Sequence, residues 1–293
     1  MKFQKNGRIL LGVLVLAALI FTILHVSIPK ASPRLEVSKI AKKVPDTKEN
    51  IRFTAIGDSL TEGVGDDTKK GGFVPLVANS LQEKFSLKTV EIENYGVAGE
   101  RSDQILKRLK KEPEIQEKLK QSDIITLTVG GNDLMKVIQS NFLGLSQKSF
   151  KKPLVKYQEN ITNLLDEIRL FNPDAPIYVV GIYNPFYINF PEITEMQDVV
   201  DDWNQGTQDI VEAEKNMYFV PINEVISKGM GTTEQQTTNS STSESRGLDT
   251  VKNNVLYDED KFHPNNLGYQ LMAKEIGTKI GETQEVWLPK ERE

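Results

Sequence analysis

A serine hydroxyl is weakly nucleophilic at its own pKa and needs a base beside it. Histidine titrates near neutrality and suits that role. This chain has two, His25 and His263. His25 lies inside a long apolar run, which leaves His263 as the base of any acid–base chemistry. A carboxylate must hold the other ring nitrogen and stabilise the imidazolium. Asp260 stands three residues upstream, in Asp260-Lys261-Phe262-His263-Pro264, close enough on one turn to do so. Asp258 and Glu259 are alternatives for the same task.

The serine to pair with them is Ser59. Residues 51–65 read IRFTAIGDSLTEGVG, an apolar run that breaks off in Gly57-Asp58-Ser59. The pattern predicts a buried strand leaving through a turn. In open α/β sheets ligand sites gather at that end of the strands, so a serine there is placed to meet substrate. The competing reading is that Asp58 or Ser59 only caps the next helix. Three further small and polar clusters share the position: Asn94 to Gly99, Gly130-Gly131-Asn132-Asp133, and Tyr257 to Pro264. Each alone is ordinary turn chemistry. Four in this order, at strand ends or before the last helix, exceed what turns alone explain.

The elements that must position these residues alternate along the chain. Strands are expected at 51–56, 89–95, 123–129, 177–182 and 217–222. Helical spacing marks 73–85, 153–171, 199–214 and 267–280, with Ser102 as cap of a helix through Leu109 and Pro113 opening another toward Leu119. Short apolar strands separated by helices predict a five-stranded parallel sheet covered on both faces. Right-handed crossovers make that a three-layer α/β/α sandwich. The hydrolase domain is read as 51–288. Within it, residues 229–247, rich in Thr, Ser and Gln, cannot bury apolar surface and read as a mobile loop.

Composition bounds the chemistry. The 293 residues are 38% hydrophobic and 26% charged, a globular balance with one large core. A net charge of −5 gives no sign of nucleic-acid binding. The absence of cysteine removes disulfides, thiolate catalysis, iron–sulfur clusters, cysteine zinc sites and lipidated-cysteine anchors. With one histidine outside the apolar run, a metallohydrolase would have only carboxylate ligands left. No metal and no cofactor is therefore expected.

Lys2, Lys5 and Arg8 precede an uncharged apolar stretch at 9–28. Its length, about 20 residues, suits one transmembrane helix. The basic flank predicts a cytoplasmic N-terminus and a domain outside the cell. Residues 1–28 are thus read as an anchor to the cytoplasmic membrane, with a cleaved signal peptide, and secretion, as the alternative. Residues 29–50, rich in Lys, Pro and Ser, read as a tether.

Gly57-Asp58-Ser59-Leu60 with Thr61-Glu62-Gly63 resembles the first block of the SGNH, or GDSL, hydrolases. Asn94-Tyr95-Gly96-Val97-Ala98-Gly99 resembles their second block, Gly130-Gly131-Asn132-Asp133 the third, and Asp260-Lys261-Phe262-His263-Pro264 the fifth. The likeness covers about residues 51–280, and among its members the chain is most similar to membrane-anchored lipase/acylhydrolases of Gram-positive bacteria. The resemblance implies a flavodoxin-like sheet, Ser59 as nucleophile, His263 as base and Asp260 as its orienter. It further implies an oxyanion hole from the N–H groups of Ser59 and Gly99 and the side-chain amide of Asn132. The reaction implied is ester hydrolysis through an acyl-serine, while the expected location outside the cell points to lipid esters or acylated cell-wall sugars as substrates. O-acyl transfer to a sugar hydroxyl uses the same residues. A non-catalytic surface-binding module on the same fold is the remaining class. Tyr183, Phe186, Tyr187 and Phe190, in YNPFYINF, form either an apolar lip over the site or core beneath a long loop.

Overall fold

The computed structural model describes residues 15–23, 47–140, 146–185, 194–229 and 254–289. The chain divides into two compact units, Met1–Pro45 and Asp46–Glu293. In the first, residues 15–23 are helical and exposed. The rest of the expected anchor lies outside the described residues, and no described helix is long and apolar enough to cross a membrane. The stretch expected as a tether is described only from Thr47 onward. There it already belongs to the second unit: Thr47 bridges Pro289, and Lys48 pairs with Asp123 at 2.5 Å.

That second unit is built on five parallel strands: β1 (Asn50–Gly57), β2 (Thr89–Gly96), β3 (Ile124–Thr128), β4 (Ile177–Val180) and β5 (Met217–Val220). Their order is β2-β1-β3-β4-β5. The central strands β3 and β4 are buried at every position, as continuous apolar runs with both faces covered must be. Edge strand β2, TVEIENYG, carries its charges outward. The chain winds from β1 to one side and from β3 to the other. The crevice between the carboxyl ends of β1 and β3 is the switch point where such sheets hold ligands.

Period-two alternation sends neighbouring side chains to opposite faces. Ile56, Ile125, Leu127, Ile177 and Val179 pack under α3 (Ser102–Lys111), α4 (Pro113–Lys120), α6 (Gln147–Phe171) and α7 (Thr194–Glu212). Ile51, Phe53, Ala55, Tyr178 and Val180 pack under α2 (Phe73–Phe85) and α9 (Asn266–Glu282). Each fully buried aliphatic side chain contributes about 1.5–3 kcal/mol. Short helices α1 (Ser59–Glu62), α5 (Gly131–Ser140), α8 (Asn223–Lys228) and α10 (Gln284–Trp287) complete the unit.

Several elements depart from the sequence expectation. Helix α6 starts at Gln147 rather than Pro153, which sits inside it. The proline forgoes one helical bond, but Phe150 in the added turn is buried in the core and Ser146 and Ser149 bond across the start. Helix α7 likewise begins earlier, at Thr194. Strands β4 and β5 stop at Val180 and Val220. Residues 230–247 of the Thr/Ser-rich stretch lie outside the described residues, as do Phe186, Tyr187 and Phe190. Tyr183 is buried core, not an exposed lip: its hydroxyl donates to the carbonyl of Phe262 at 2.6 Å.

Candidate active site

The residues just beyond β1 divide two tasks that the sequence left open between them. Asp58 caps α1, its Oδ1 accepting the N–H of Leu60 at 3.0 Å. Ser59 is the first residue of the helix. Its N–H therefore has no partner within the helix. Asp58 Oδ1 also accepts the hydroxyl of Thr128, at the end of β3, at 2.8 Å. Thr128 Oγ1 lies 2.8 Å from Thr61 Oγ1. This buried net fixes the turn to the adjoining strand. Burial pushes the Asp58 carboxyl above its ordinary pKa, and the bonds from Thr128 and Leu60 offset that only in part.

His263 arrives on a closed loop. Leu256 and Pro264 form an antiparallel bridge, Tyr257 N–H donates to His263 O at 2.7 Å, and Asn265 N–H to Val255 O at 2.9 Å. Asn265 then caps α9, accepting from Leu267 and Gly268. The loop is locked against the chain that follows Ser59. Tyr269 Oη donates to Val64 O at 2.7 Å, and Asn266 Oδ1 accepts the N–H of Asp67 at 2.9 Å.

The result is a hydrogen-bonded row. Ser59 Oγ lies 2.9 Å from His263 Nε2, across 204 residues of chain. His263 Nδ1 lies 2.6 Å from Asp260 Oδ2. Asp260 Oδ1 accepts the N–H groups of Phe262, at 2.8 Å, and His263, at 3.0 Å. Partial burial would raise the Asp260 carboxyl, but the bonds from the His263 ring and the two N–H groups outweigh it and hold the carboxyl below its ordinary value. An ionised Asp260 accepts from Nδ1–H, so Nε2 presents its lone pair to Ser59. Asp258 pairs with Lys261.

A cleft opens beside Ser59, walled by Leu60, Val129, Ile182, Tyr183 and Phe262, with Asn132 on its rim. Asn132 sits in the first turn of α5, a helix the sequence did not announce because Gly130-Gly131-Asn132-Asp133 reads as a turn. Its Nδ2 donates to Glu100 O at 2.9 Å and retains a second N–H. Gly99 lies on the exposed loop after β2 with φ +81°, and nothing lies within 4 Å of where its Cβ would be. The preceding N–H, of Ala98, donates to the Glu62 carboxylate of α1, which ties this loop to the helix bearing Ser59. Gly96 admits no side chain, since a Cβ would stand 2.0 Å from the N of Glu62. Ser102 does not cap α3 as expected. It is the first helical residue, and its N–H and hydroxyl both donate to Asp133, at 2.9 and 2.6 Å. Among the described residues no group of acidic or histidine side chains could hold a metal ion.

Comparison with known proteins agrees with this architecture. The chain is 37% identical over 245 residues to the uncharacterized protein YpmR of Bacillus subtilis, covering 84% of this chain and 86% of that one. It is 29% identical over 160 residues to the spore germination lipase LipC of Bacillus licheniformis, covering 53% of this chain and 71% of that one. Among solved structures, the fold matches the lipase Lip_vut3 from a goat rumen metagenome with a TM-score of 0.62 at 24% identity, over 78% of this chain and 96% of that one. It also matches Axe2, an acetylxylan esterase from Geobacillus stearothermophilus, with a TM-score of 0.55 at 19% identity, over 79% and 94%. Residues 55–271, a span that includes Ser59, Asn132, Asp260 and His263, fit the GDSL-like Lipase/Acylhydrolase family. By that span and by its Bacillus relatives, this chain belongs to the GDSL-like lipase/acylhydrolase family of ester-cleaving enzymes.

Proposed function

We propose that this protein is a serine esterase that cleaves carboxylic esters through an acyl-Ser59 intermediate. The observation that carries the proposal is the Ser59–His263–Asp260 row, closed by contacts of 2.9 and 2.6 Å. His263 Nε2 takes the proton of Ser59 Oγ as that oxygen attacks the ester carbonyl. The tetrahedral oxyanion is met by the N–H of Ser59, the N–H of Gly99 and the free amide N–H of Asn132. Such donors act where charge develops, and losing one costs about 10²–10³ in rate. Collapse breaks the carbon–oxygen bond of the ester, and Nε2–H protonates the departing alcohol. Water, deprotonated by the same nitrogen, then releases the acid from Ser59. Asp260 holds the tautomer and stabilises the imidazolium in both halves.

The apolar cleft walls favour an uncharged acyl group over a charged one. Lys2, Lys5 and Arg8 ahead of the apolar run at 9–28 support a single-pass protein with its catalytic domain outside the cell, where lipid esters and acylated glycans are the available substrates. Ser59→Ala is the direct test. It should abolish hydrolysis of p-nitrophenyl acetate and butyrate and labelling by a fluorophosphonate, with an unchanged thermal transition. Equal labelling of the variant removes Ser59 from the mechanism.

A further inference from the structure

Beneath the loop that carries Gly99 lies an ion pair that the reaction scheme does not use. Arg108, in the last turn of α3, donates from Nε to Glu100 Oε2 at 2.8 Å. Both side chains are nearly out of solvent, with 11% and 17% of their surface exposed. The guanidinium does more than neutralise Glu100. Its Nη2 faces Tyr95 O at 3.0 Å and Gly57 O at 3.4 Å. Tyr95 is the penultimate residue of the strand that leads to Gly99, and Gly57 precedes Asp58 and Ser59. Glu100 itself offers its carbonyl to Asn132 Nδ2, and its N–H donates to Val97 O at 3.3 Å, which folds the turn containing Gly99. One planar cation thus reaches the exits of both strands and the residue that aims the amide of Asn132.

We propose that Arg108, through Glu100, is a positioning residue that sets the oxyanion donors of Gly99 and Asn132 against Ser59. The inference rests on the oxyanion role proposed above for those two residues. A guanidinium fits the task because its fork of donors is rigid, always charged and weakly hydrated, and it bonds several acceptors in one plane. Lysine keeps the charge but concentrates it at a single atom on a flexible stem, so it cannot satisfy Glu100 and two strand carbonyls in the same geometry. Oxyanion donors work by being fixed before charge develops. A displacement of about 1 Å at such a site costs on the order of a hundredfold in rate even when the altered residue is remote from the chemistry.

The test compares Arg108→Lys, Asn132→Ala and the double variant, using kcat for p-nitrophenyl butyrate per site titrated to completion with fluorophosphonate. Arg108→Lys should lower kcat per titrated site by about tenfold to a hundredfold, with KM within about twofold, since the lost contacts serve the transition state. The acid limb of the pH profile should stay in place, because Arg108 does not touch His263. In the double variant the losses should fall short of their product, since both act on the same donor. Glu100→Gln, which keeps shape and removes the ion pair, should reproduce the kcat loss. Normal kcat in Arg108→Lys and Glu100→Gln, or losses that multiply in the double variant, overturn the positioning role while leaving the oxyanion assignment intact. Normal kcat in Asn132→Ala removes that assignment itself. A fall in thermal stability with kcat per titrated site unchanged reduces Arg108 to a structural ion pair.

Discussion

Replacing Asp260 by asparagine separates orientation of the imidazole from every other property of the loop. In Asp260→Asn the side-chain amide can keep its carbonyl oxygen where Oδ1 stands, still accepting the N–H groups of Phe262 and His263. What changes is the group facing Nδ1 at 2.6 Å, where an N–H now meets the ring nitrogen. That contact is satisfied only if Nδ1 gives up its hydrogen and Nε2 carries it, which leaves no lone pair for the Ser59 proton. A hydrogen bond to a charged group contributes about 1.5–3 kcal/mol, or about one to two powers of ten in rate. In a buried triad the inverted tautomer raises the loss to about 10⁴ in kcat. The Asp260 side chain is 36% exposed, so water partly shelters the imidazolium. The expected fall therefore lies between these limits, about 10²–10³ in kcat, with KM within about threefold. Asp260→Ala should retain at least as much activity per folded molecule, because it imposes no tautomer. It should nonetheless be less stable by about 1–3 kcal/mol for two lost backbone bonds. Asp258→Asn should leave kcat unchanged, as its side chain is 93% exposed and turned to Lys261. Steady-state kinetics and urea melts of the three variants decide the matter. A kcat for Asp260→Asn within about tenfold of wild type, or the full loss in Asp258→Asn instead, refutes the assignment.

Other outcomes follow from the same geometry. Because Asp260 is held below its ordinary pKa, it contributes stability that is present above about pH 3.9 and lost as pH falls through its native value; the urea-midpoint gap between wild type and Asp260→Asn should narrow on acidification, and a gap that widens contradicts the sign. Gly96→Ala forces a Cβ to 2.0 Å from the Glu62 nitrogen and 2.5 Å from the Thr61 carbonyl carbon. It should cost about 1–3 kcal/mol by overpacking and lower kcat by shifting α1, both readable in one urea and kinetic series. Protease added to intact cells should release the catalytic domain by cutting between residues 29 and 46; complete protection until lysis would reverse the proposed topology.

Much of the fold was legible because its signals are local. Helix α2 matches its expected span, since Phe73, Val77 and Leu81 repeat at helical spacing between Gly72 and Ser86. The central strands were plain as apolar runs, and the scarcity of histidine singled out His263 and its loop. What stayed hidden depends on long-range contact. Helix α5 opens in residues that favour turns and is held by Asp133 bonding across to Ser102. The end of β4 was overrun, since Ile182 continues the apolar run but its N–H donates to Asn204 of α7, at 2.8 Å, instead of to β5. Arg108 is one cation in the run Lys107-Arg108-Leu109-Lys110-Lys111, and nothing in its spacing marks it as buried. For Tyr183 and its neighbours the sequence left lip and core as alternatives, and Tyr183 belongs to the interior.

The separation of 204 positions between Ser59 and His263 also matters to biosynthesis. Domains are made from the N-terminus at about 5–20 residues per second, so Ser59 leaves the ribosome many seconds before His263 exists. Until the loop at 254–265 docks and Tyr269 reaches Val64, Ser59 has no proton acceptor. The unfinished chain is thus a hydrolase without a working centre. Under the mechanism and topology proposed above, activity begins only with that docking event, which keeps the chemistry away from the esters of the cell that makes the protein.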